Sequence, residues 1–91
     1  MIYLVCYDIE DDRERNRVAR TLLRHGRRVQ YSVFEIHRMA PTARKALAAE
    51  LAEIVSDPGS IRFYRLTLDG VEDSTDLVGN PLAKRPIMHI V

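Results

Sequence analysis

The alternation of apolar and polar residues along the chain predicts several short strands and two helices. The run MIYLVCYDI is almost continuously apolar up to Asp8, a pattern typical of a strand that is covered on both faces. The period of two divides this strand into two faces. One face carries Ile2, Leu4, Cys6 and Asp8, and the other carries Tyr3, Val5 and Tyr7.

The segment after this strand predicts an amphipathic helix. Asp11 or Asp12 is suited to cap its start, and Gly26 stands where a left-handed C-terminal cap is expected. The predicted apolar stripe consists of Val18, Ala19, Leu22 and Leu23. Arginines spaced at i, i+4, i+7 and i+11 form a second stripe, which is basic and exposed. Its members are Arg13, Arg17, Arg20 and Arg24.

The rest of the chain predicts further strands and one more helix. RRVQYSVFEIHR is either one long strand or a short strand at Arg28–Gln30, a tight turn and a second strand at Val33–Arg38. A second helix begins at Pro41 or Thr42 and ends at the turn SDPG. Its core-facing residues are Leu47, Leu51, Ile54 and Val55. SIRFYRLTL is a strand, and IMHIV is a last short strand.

This order of elements predicts a single domain, a two-layer α/β sandwich with both helices on one face of a sheet. The core spans residues 1–68, a loop rich in Gly, Pro, Asn and Asp spans 69–85, and the closing strand spans 86–91. The other face of the sheet still carries residues such as Leu4, Val5 and Tyr64. A second copy of the chain is the expected cover for them.

Composition restricts the class of protein. No apolar run approaches the roughly 20 residues that span a bilayer, and no secretory signal is present, so no membrane partner is expected. Cys6 is the only cysteine, which excludes an intrachain disulfide and a cysteine-based zinc site and favours the cytoplasm. The charges are unevenly distributed although the net charge is only +1, because seven of the twelve arginines lie between Arg13 and Arg28.

Asp8 follows an apolar strand, and two interpretations of it stay open. An aspartate in this position commonly caps the next helix or ends the strand in a turn. It is also a candidate ligand for Mg²⁺, which prefers oxygen donors and needs only one or two carboxylates from the protein. A two-fold dimer would bring each Asp8 opposite its own copy, and a cation between the two would relieve their repulsion.

The arginine-rich segment also has two interpretations. Its side chains form either a solvated helix surface or a surface that binds the phosphates of a nucleic acid, for which the planar guanidinium is well suited. The candidate nucleic-acid-binding residues are Arg13, Arg17, Arg20, Arg24, Arg27 and Arg28. Tyr31 and Phe34 flank the predicted turn, where they pack in the core or a dimer or, alternatively, stack on bases.

Three stretches resemble the Cas-two family, the second of the two core spacer-acquisition proteins of CRISPR systems. They are YDIEDDRERNRVARTL, GRRVQYSVFE and SIRFYRL, and the resemblance covers residues 2–68. It implies an α+β, ferredoxin-like βαββαβ fold that forms a homodimer through its sheets. It also implies that an extra C-terminal strand, here within PIMHIV, adds to the sheet of the partner.

The resemblance further implies a metal-dependent endonuclease that acts on single-stranded RNA or double-stranded DNA, with Mg²⁺ or alternatively Mn²⁺ as the cofactor. Asp8 matches the family's metal ligand. The other positions that match its catalytic set are Tyr7, Arg15, Arg17, Arg28 and Phe34. An alternative role in the same family is that of a non-catalytic DNA-binding scaffold, in which the dimer bridges the subunits of a partner integrase.

Overall fold

The computed structural model describes residues 1–82. Its strands are β1 (Ile2–Tyr7), β2 (Arg27–Gln30), β3 (Val33–Ile36) and β4 (Ile61–Leu66), and its helices are α1 (Asp12–Leu23), α2 (Pro41–Ala52) and α3 (Leu68–Glu72). A short 3₁₀ turn at Pro58–Ser60 leads into β4. Along the described part of the chain, no helix has the length and hydropathy needed to cross a membrane.

The four strands form one antiparallel sheet in the order β2-β3-β1-β4. With the helices after β1 and β3, this is the two-layer sandwich that the sequence pattern predicted and the ferredoxin-like arrangement that the family resemblance implied. β1 is central, and Val5 is aligned with Phe34 on one side and with Phe63 on the other. The helices cover one face of the sheet, because their buried residues share a single core with it. That core includes Val5, Val18, Leu22, Phe34, Ile36, Leu47 and Leu51.

The face assignment along β1 is confirmed by an alternation of half-buried and buried positions. The prediction that Val5 lies on the uncovered face was wrong. Val5 is fully buried on the helix side, which is where its own period of two puts it. Leu4 and Tyr64 do lie on the opposite face, paired with each other across β1 and β4, and Tyr64 is exposed.

Helix α1 begins where its acidic residues predict. Asp11, rather than Asp12, is the N-cap, and its Oδ1 accepts a hydrogen bond from the backbone N–H of Glu14 at 2.8 Å. Leu23 was predicted to face the core, but it is 54% exposed. Successive residues of an α-helix are rotated by about 100° around its axis. Leu22 lies at the edge of the buried side of α1, so the next residue, Leu23, is turned toward solvent. The buried stripe of α1 therefore has one residue fewer than the sequence predicted.

Gly26 has a different role from the one predicted. Within residues 1–82 the only glycine with a positive φ is Gly79, and the C-cap of α1 is Arg24 in a right-handed conformation. A Cβ at position 26 would lie 2.2 Å from the carbonyl oxygen of Glu35. Glycine is required here because the chain entering β2 passes directly against the backbone of β3.

The two strands β2 and β3 form a hairpin, which decides between the two interpretations of RRVQYSVFEIHR. Tyr31 and Ser32 make the turn, and the pairing register shifts between Arg28 and Gln30. Such a bulge bends a strand and redirects its side chains. Arg27 is aligned with Glu35 and Arg28 with Phe34, so consecutive arginines lie on opposite faces of the sheet.

The region after β4 is more regular than the predicted loop. Thr67 caps the short helix α3, and Thr75 pairs with Pro81 in an isolated bridge. The segment 75–82 borders an open cavity of about 670 Å³ together with β2 and β3. Its residues all remain exposed, so the outer face of the sheet is still available to a second copy of the chain. The predicted strand 86–91 lies outside the described residues.

Candidate functional site

Asp8 lies directly after the central strand, with its side chain exposed. Its backbone N–H donates to the carbonyl of Ser60 at 2.9 Å, and that of Tyr7 donates to the carbonyl of Ser32 at 3.1 Å. The end of β1 is therefore held on one side by the β2–β3 turn and on the other by the 3₁₀ turn before β4. These bonds fix the backbone of Asp8 and leave its carboxylate free to face solvent.

An open cleft of about 410 Å³ contains Asp8. The residues that line it are Cys6, Tyr7, Asp8, Asp57, Gly59, Ser60 and Arg62. Two carboxylates and one guanidinium thus share the cleft. Such a combination can bind a divalent cation through the acidic side and a phosphate through the basic side.

Asp57 is the second acidic residue of this cleft. It caps the 3₁₀ turn, where its Oδ1 accepts from the N–H of Gly59 at 3.0 Å. The backbone N–H of Ser60 donates to the carbonyl of Asp57 at 3.0 Å. The turn therefore fixes the main chain of Asp57 beside the end of β1.

Arg62 is the basic residue of the cleft, and it is aligned with Cys6 across β1 and β4. Its Nη1 donates to the hydroxyl of Tyr64 at 3.1 Å, and this hydrogen bond is the main cause of a raised Arg62 pKa. Sequence reasoning missed both Asp57 and Arg62. The available signal was the antiparallel pairing of the first and last core strands, which puts the start of SIRFYRL beside Asp8.

Five residues form what we call the aromatic–arginine cluster: Tyr7, Arg15, Arg28, Tyr31 and Phe34. Phe34 is completely buried and Tyr7 is 5% exposed, and their rings stack with centroids 6.2 Å apart. The Tyr7 hydroxyl accepts from Arg28 Nη2 at 3.2 Å and donates to the carbonyl of Tyr31 at 3.3 Å. Tyr7 and Phe34, both predicted catalytic residues, therefore belong to the core beneath the site.

Arg28 connects this core to the surface. Its guanidinium carbon is 5.2 Å from the ring centroid of Phe34 and 5.3 Å from that of Tyr31. Both distances are within the range of cation–π attraction. Arg28 is therefore held by three aromatic residues at the end of the sheet, beside the β2–β3 turn.

Arg15 is bonded to the segment that follows Asp8. Its Nη1 donates to the carbonyls of Ile9 at 3.0 Å and Glu10 at 3.1 Å, and its Nε donates to the hydroxyl of Tyr31 at 3.1 Å. Nη2 is paired with Asp12, and this bond is the main cause of a raised Arg15 pKa. The guanidinium thus joins α1, the Asp8 loop and the hairpin turn.

The basic stripe of α1 is exposed along its length, as its spacing predicted. Arg17, Arg20 and Arg24 border a groove toward α2, where Arg24 forms an ion pair with Glu50. Arg27 is separate from this surface, because it lies on the outer face of the sheet with Glu35. The six arginines predicted to bind nucleic acid therefore do not make one continuous patch.

Within residues 1–82, no three His, Cys, Asp or Glu side chains are grouped closely enough to enclose a metal ion. A magnesium ion does not require such a group, since it keeps several waters and binds one or two carboxylates. Asp8 and Asp57, exposed in one open cleft, fit that kind of site. A cysteine- or histidine-rich site for a softer metal does not fit this part of the chain.

The comparisons with known proteins agree with one another on the family of the chain. A family model described as CRISPR associated protein Cas2 matches residues 1–73. The chain is 37% identical over 86 residues to the CRISPR-associated endoribonuclease Cas2 3 of Synechocystis sp., which covers 93% of this chain and 91% of that protein.

Two solved structures are similar over most of the chain. One is a chain of a partial Cas6-RT-Cas1–Cas2 complex, with a TM-score of 0.83 and 36% identity, covering 90% of this chain and 96% of that one. The other is Streptococcus pyogenes Cas2 at pH 6.5, with a TM-score of 0.73 and 30% identity, covering 85% of this chain and 99% of that one.

Proposed function

Because the chain belongs to the CRISPR-associated Cas2 family, we propose that it is an endonuclease of spacer acquisition that hydrolyses nucleic-acid phosphodiesters at Asp8. The observation that carries this proposal is the exposed Asp8 carboxylate, held at the end of the central strand in a cleft with Asp57 and Arg62. Its relative in Synechocystis is named an endoribonuclease, so RNA is the first substrate to test and DNA the second.

The proposal includes a divalent metal ion bound in the cleft. Asp8 and Asp57 would hold Mg²⁺, or Mn²⁺ in its place, and the bound ion would lower the pKa of a water and stabilise negative charge on the reacting phosphate. A homodimer formed through the sheets would also bring each Asp8 near its counterpart. The cytoplasm, where the nucleic acid and a reduced Cys6 are found together, is the proposed location.

The chain's own residues have separate roles in this mechanism. Arg62 binds a non-bridging phosphate oxygen, and Tyr64 orients its guanidinium for that contact. Arg15 positions the backbone after Asp8. Tyr7, Arg28 and Phe34 support the strand end and the hairpin turn. Arg17 is exposed two residues beyond Arg15 and guides the strand by its charge.

The test is cleavage of a labelled single-stranded RNA and a labelled DNA duplex by purified protein, with Mg²⁺, Mn²⁺ or a chelator present. We expect Asp8→Asn to abolish cleavage and Asp57→Asn to raise the Mg²⁺ concentration needed for half-maximal rate. Asp69→Asn, an exposed acid on α3, is the matched control and should cleave normally. Undiminished cleavage by an Asp8→Asn protein, purified away from contaminating nucleases, would refute the proposed active site.

A second candidate function is a DNA-binding scaffold that bridges the subunits of a partner integrase. Two observations favour it: the exposed arginines of α1, and the likeness to a chain found in a complex with Cas1. Arginines that contact phosphates release counterions, so binding should weaken steeply with salt. Its test is integration of a short duplex by the assembled complex.

In that assay the scaffold role predicts that Asp8→Asn integrates normally, whereas the triple reversal of Arg17, Arg20 and Arg24 to Glu does not. The matched control reverses Arg65, which lies on β4 away from the α1 stripe. Normal integration by the triple variant would exclude a scaffold that works through this helix.

A further inference from the structure

Tyr31 is an exposed aromatic residue that is nevertheless held in place. It lies in the β2–β3 turn with 66% of its surface exposed, whereas the other rings of the aromatic–arginine cluster are buried. Its hydroxyl accepts from Arg15 Nε at 3.1 Å, and the guanidinium carbon of Arg28 lies 5.3 Å from its ring centroid. Its backbone carbonyl accepts from the hydroxyl of buried Tyr7.

These contacts have a consequence for binding. An exposed side chain normally loses rotational freedom when a ligand orders it, and that loss weakens the complex. The ring of Tyr31 is already held by Arg15 on α1 and Arg28 on β2, and its backbone is held by Tyr7 on β1, so little ordering remains. The Tyr31 ring therefore exposes a large apolar surface to solvent, and packing in the core does not account for this surface.

The location of this ring connects it to the cleft. Arg15, which binds the Tyr31 hydroxyl, also binds the carbonyls of Ile9 and Glu10, the two residues that follow Asp8. Ser32, the next residue of the turn, accepts from the backbone N–H of Tyr7. Tyr31 and Asp8 consequently lie at the same end of the sheet, joined through one arginine and one backbone hydrogen bond.

We infer that Tyr31 is a stacking site for one unpaired base of a single-stranded nucleic acid bound at the Asp8 end of the sheet. This inference rests on the proposed function, for which it names a residue that binds a base of the substrate. Every base has a π face, so stacking on an aromatic ring tolerates any sequence. In a duplex the bases already stack on one another, and the ring has no free face to bind. Arg15 and Arg28 add positive charge beside the ring, which suits the neighbouring phosphates.

The experiment measures binding rather than cleavage. Tyr31→Leu and Tyr31→Phe are made in the full chain carrying Asp8→Asn, and affinity is measured by fluorescence anisotropy without metal. The probes are a single-stranded RNA, the duplex of the same sequence and a strand of the same length made of abasic residues. Leu removes the ring, and Phe keeps the ring but removes the hydroxyl bond to Arg15. Thermal unfolding checks that each variant is folded.

Loss of one stacked base is expected to weaken binding of the single strand about 5-fold to about 150-fold in Tyr31→Leu. Tyr31→Phe should bind close to the parent, the duplex affinity should not change, and the abasic strand should bind both variants and parent equally. The inference is overturned if Leu binds the RNA as well as the parent does, if Phe loses as much as Leu, or if the duplex loses the same factor. These outcomes concern affinity alone, so they remain distinct from a failure of Asp8 to support cleavage.

Discussion

Gly26 lies directly against the main-chain carbonyl of Glu35, at a distance that leaves no space for a Cβ atom. Neither backbone can move away without separating the start of β2 from β3. We expect Gly26→Ala to lower the free energy of unfolding by about 1–3 kcal/mol, the usual cost of overpacking. For a domain of this size that corresponds to a fall in Tm of roughly 4–24 °C.

The matched control for this change is Gly70→Ala. A Cβ there would lie 3.2 Å from the side-chain oxygen of Thr67, the N-cap of α3, and a shift of that exposed side chain by a few tenths of an ångström relieves the contact. Its effect should stay within about 1 kcal/mol, since alanine also gains helix propensity over glycine. Equal unfolding midpoints for the two variants would contradict the close approach at Gly26.

Arg15 and Arg17 are two residues apart but should affect the reaction differently. Arg15 donates to the carbonyls beyond Asp8, so Arg15→Gln should lower kcat about 10- to 100-fold by misplacing the loop. Arg17 is exposed on the helix, and Arg17→Gln should chiefly weaken binding and reduce its salt dependence. Single-turnover rates and a binding titration at several salt concentrations separate the two effects. A pure loss of affinity in Arg15→Gln would argue against its positioning role.

Arg62 should contribute to the chemical step because it shares the cleft with Asp8. Removing one charged donor to the reacting phosphate commonly costs two orders of magnitude or more in rate, and we expect Arg62→Gln to lose about 100-fold in kcat. Arg65→Gln is the control, since Arg65 lies on the same strand but on the other face, aligned with Tyr3. Steady-state rates on the RNA substrate provide the measurement, and similar losses in both variants would remove Arg62 from the mechanism.

The loop 75–82, which borders the outer face of the sheet, should lose its internal hydrogen bonds in acid. Asp76 accepts from the backbone N–H groups of Asn80 at 2.9 Å and Val78 at 3.0 Å, and the bond from Asn80 is the first cause of a pKa below its ordinary 3.8. A lowered folded-state pKa stabilises the loop above the unfolded value, and this stabilisation is lost as the pH falls through the folded value.

Amide protection of Val78 and Asn80 by hydrogen exchange should therefore be constant above about pH 4 and fall below it. Asp76→Ala should show weak protection at every pH, whereas Asp73→Asn should behave like the unaltered chain. Protection that persists unchanged at about pH 2 would show that the carboxylate does not hold the loop.

The sequence was sufficient to predict the order of strands and helices, because each element has its own apolar period. β1 and β4 agree with the prediction, and the hairpin interpretation of RRVQYSVFEIHR is the correct one of the two considered. Helix α2 begins at Pro41 as predicted, but it ends at Ala52 and not at the turn SDPG, so Ile54 and Val55 lie beyond the helix. Asp8 became a candidate site residue because an acid that ends an apolar strand is conspicuous, and the structure places it in an open cleft. The exposed stripe of α1 also followed from spacing alone.

What could not be predicted depends on contacts between distant segments. Asp57 and Arg62 reach the cleft only through the pairing of β1 with β4. The requirement for glycine at position 26 comes from the carbonyl of Glu35, and no local turn pattern reveals it. The short helix Leu68–Glu72 lies in a segment whose Asp and Gly content indicated a loop, and the Thr67 cap stabilises it there.

The end of β1 is held by hydrogen bonds to Ser32 and Ser60, so the cleft can form only late in protein synthesis. While the chain is still emerging from the ribosome, Asp8 has no defined surroundings until the residue 60 region has been translated and has taken its place beside the first strand. An incomplete polypeptide or a proteolytic fragment that lacks this region therefore carries the aspartate without the cleft that surrounds it in the complete fold.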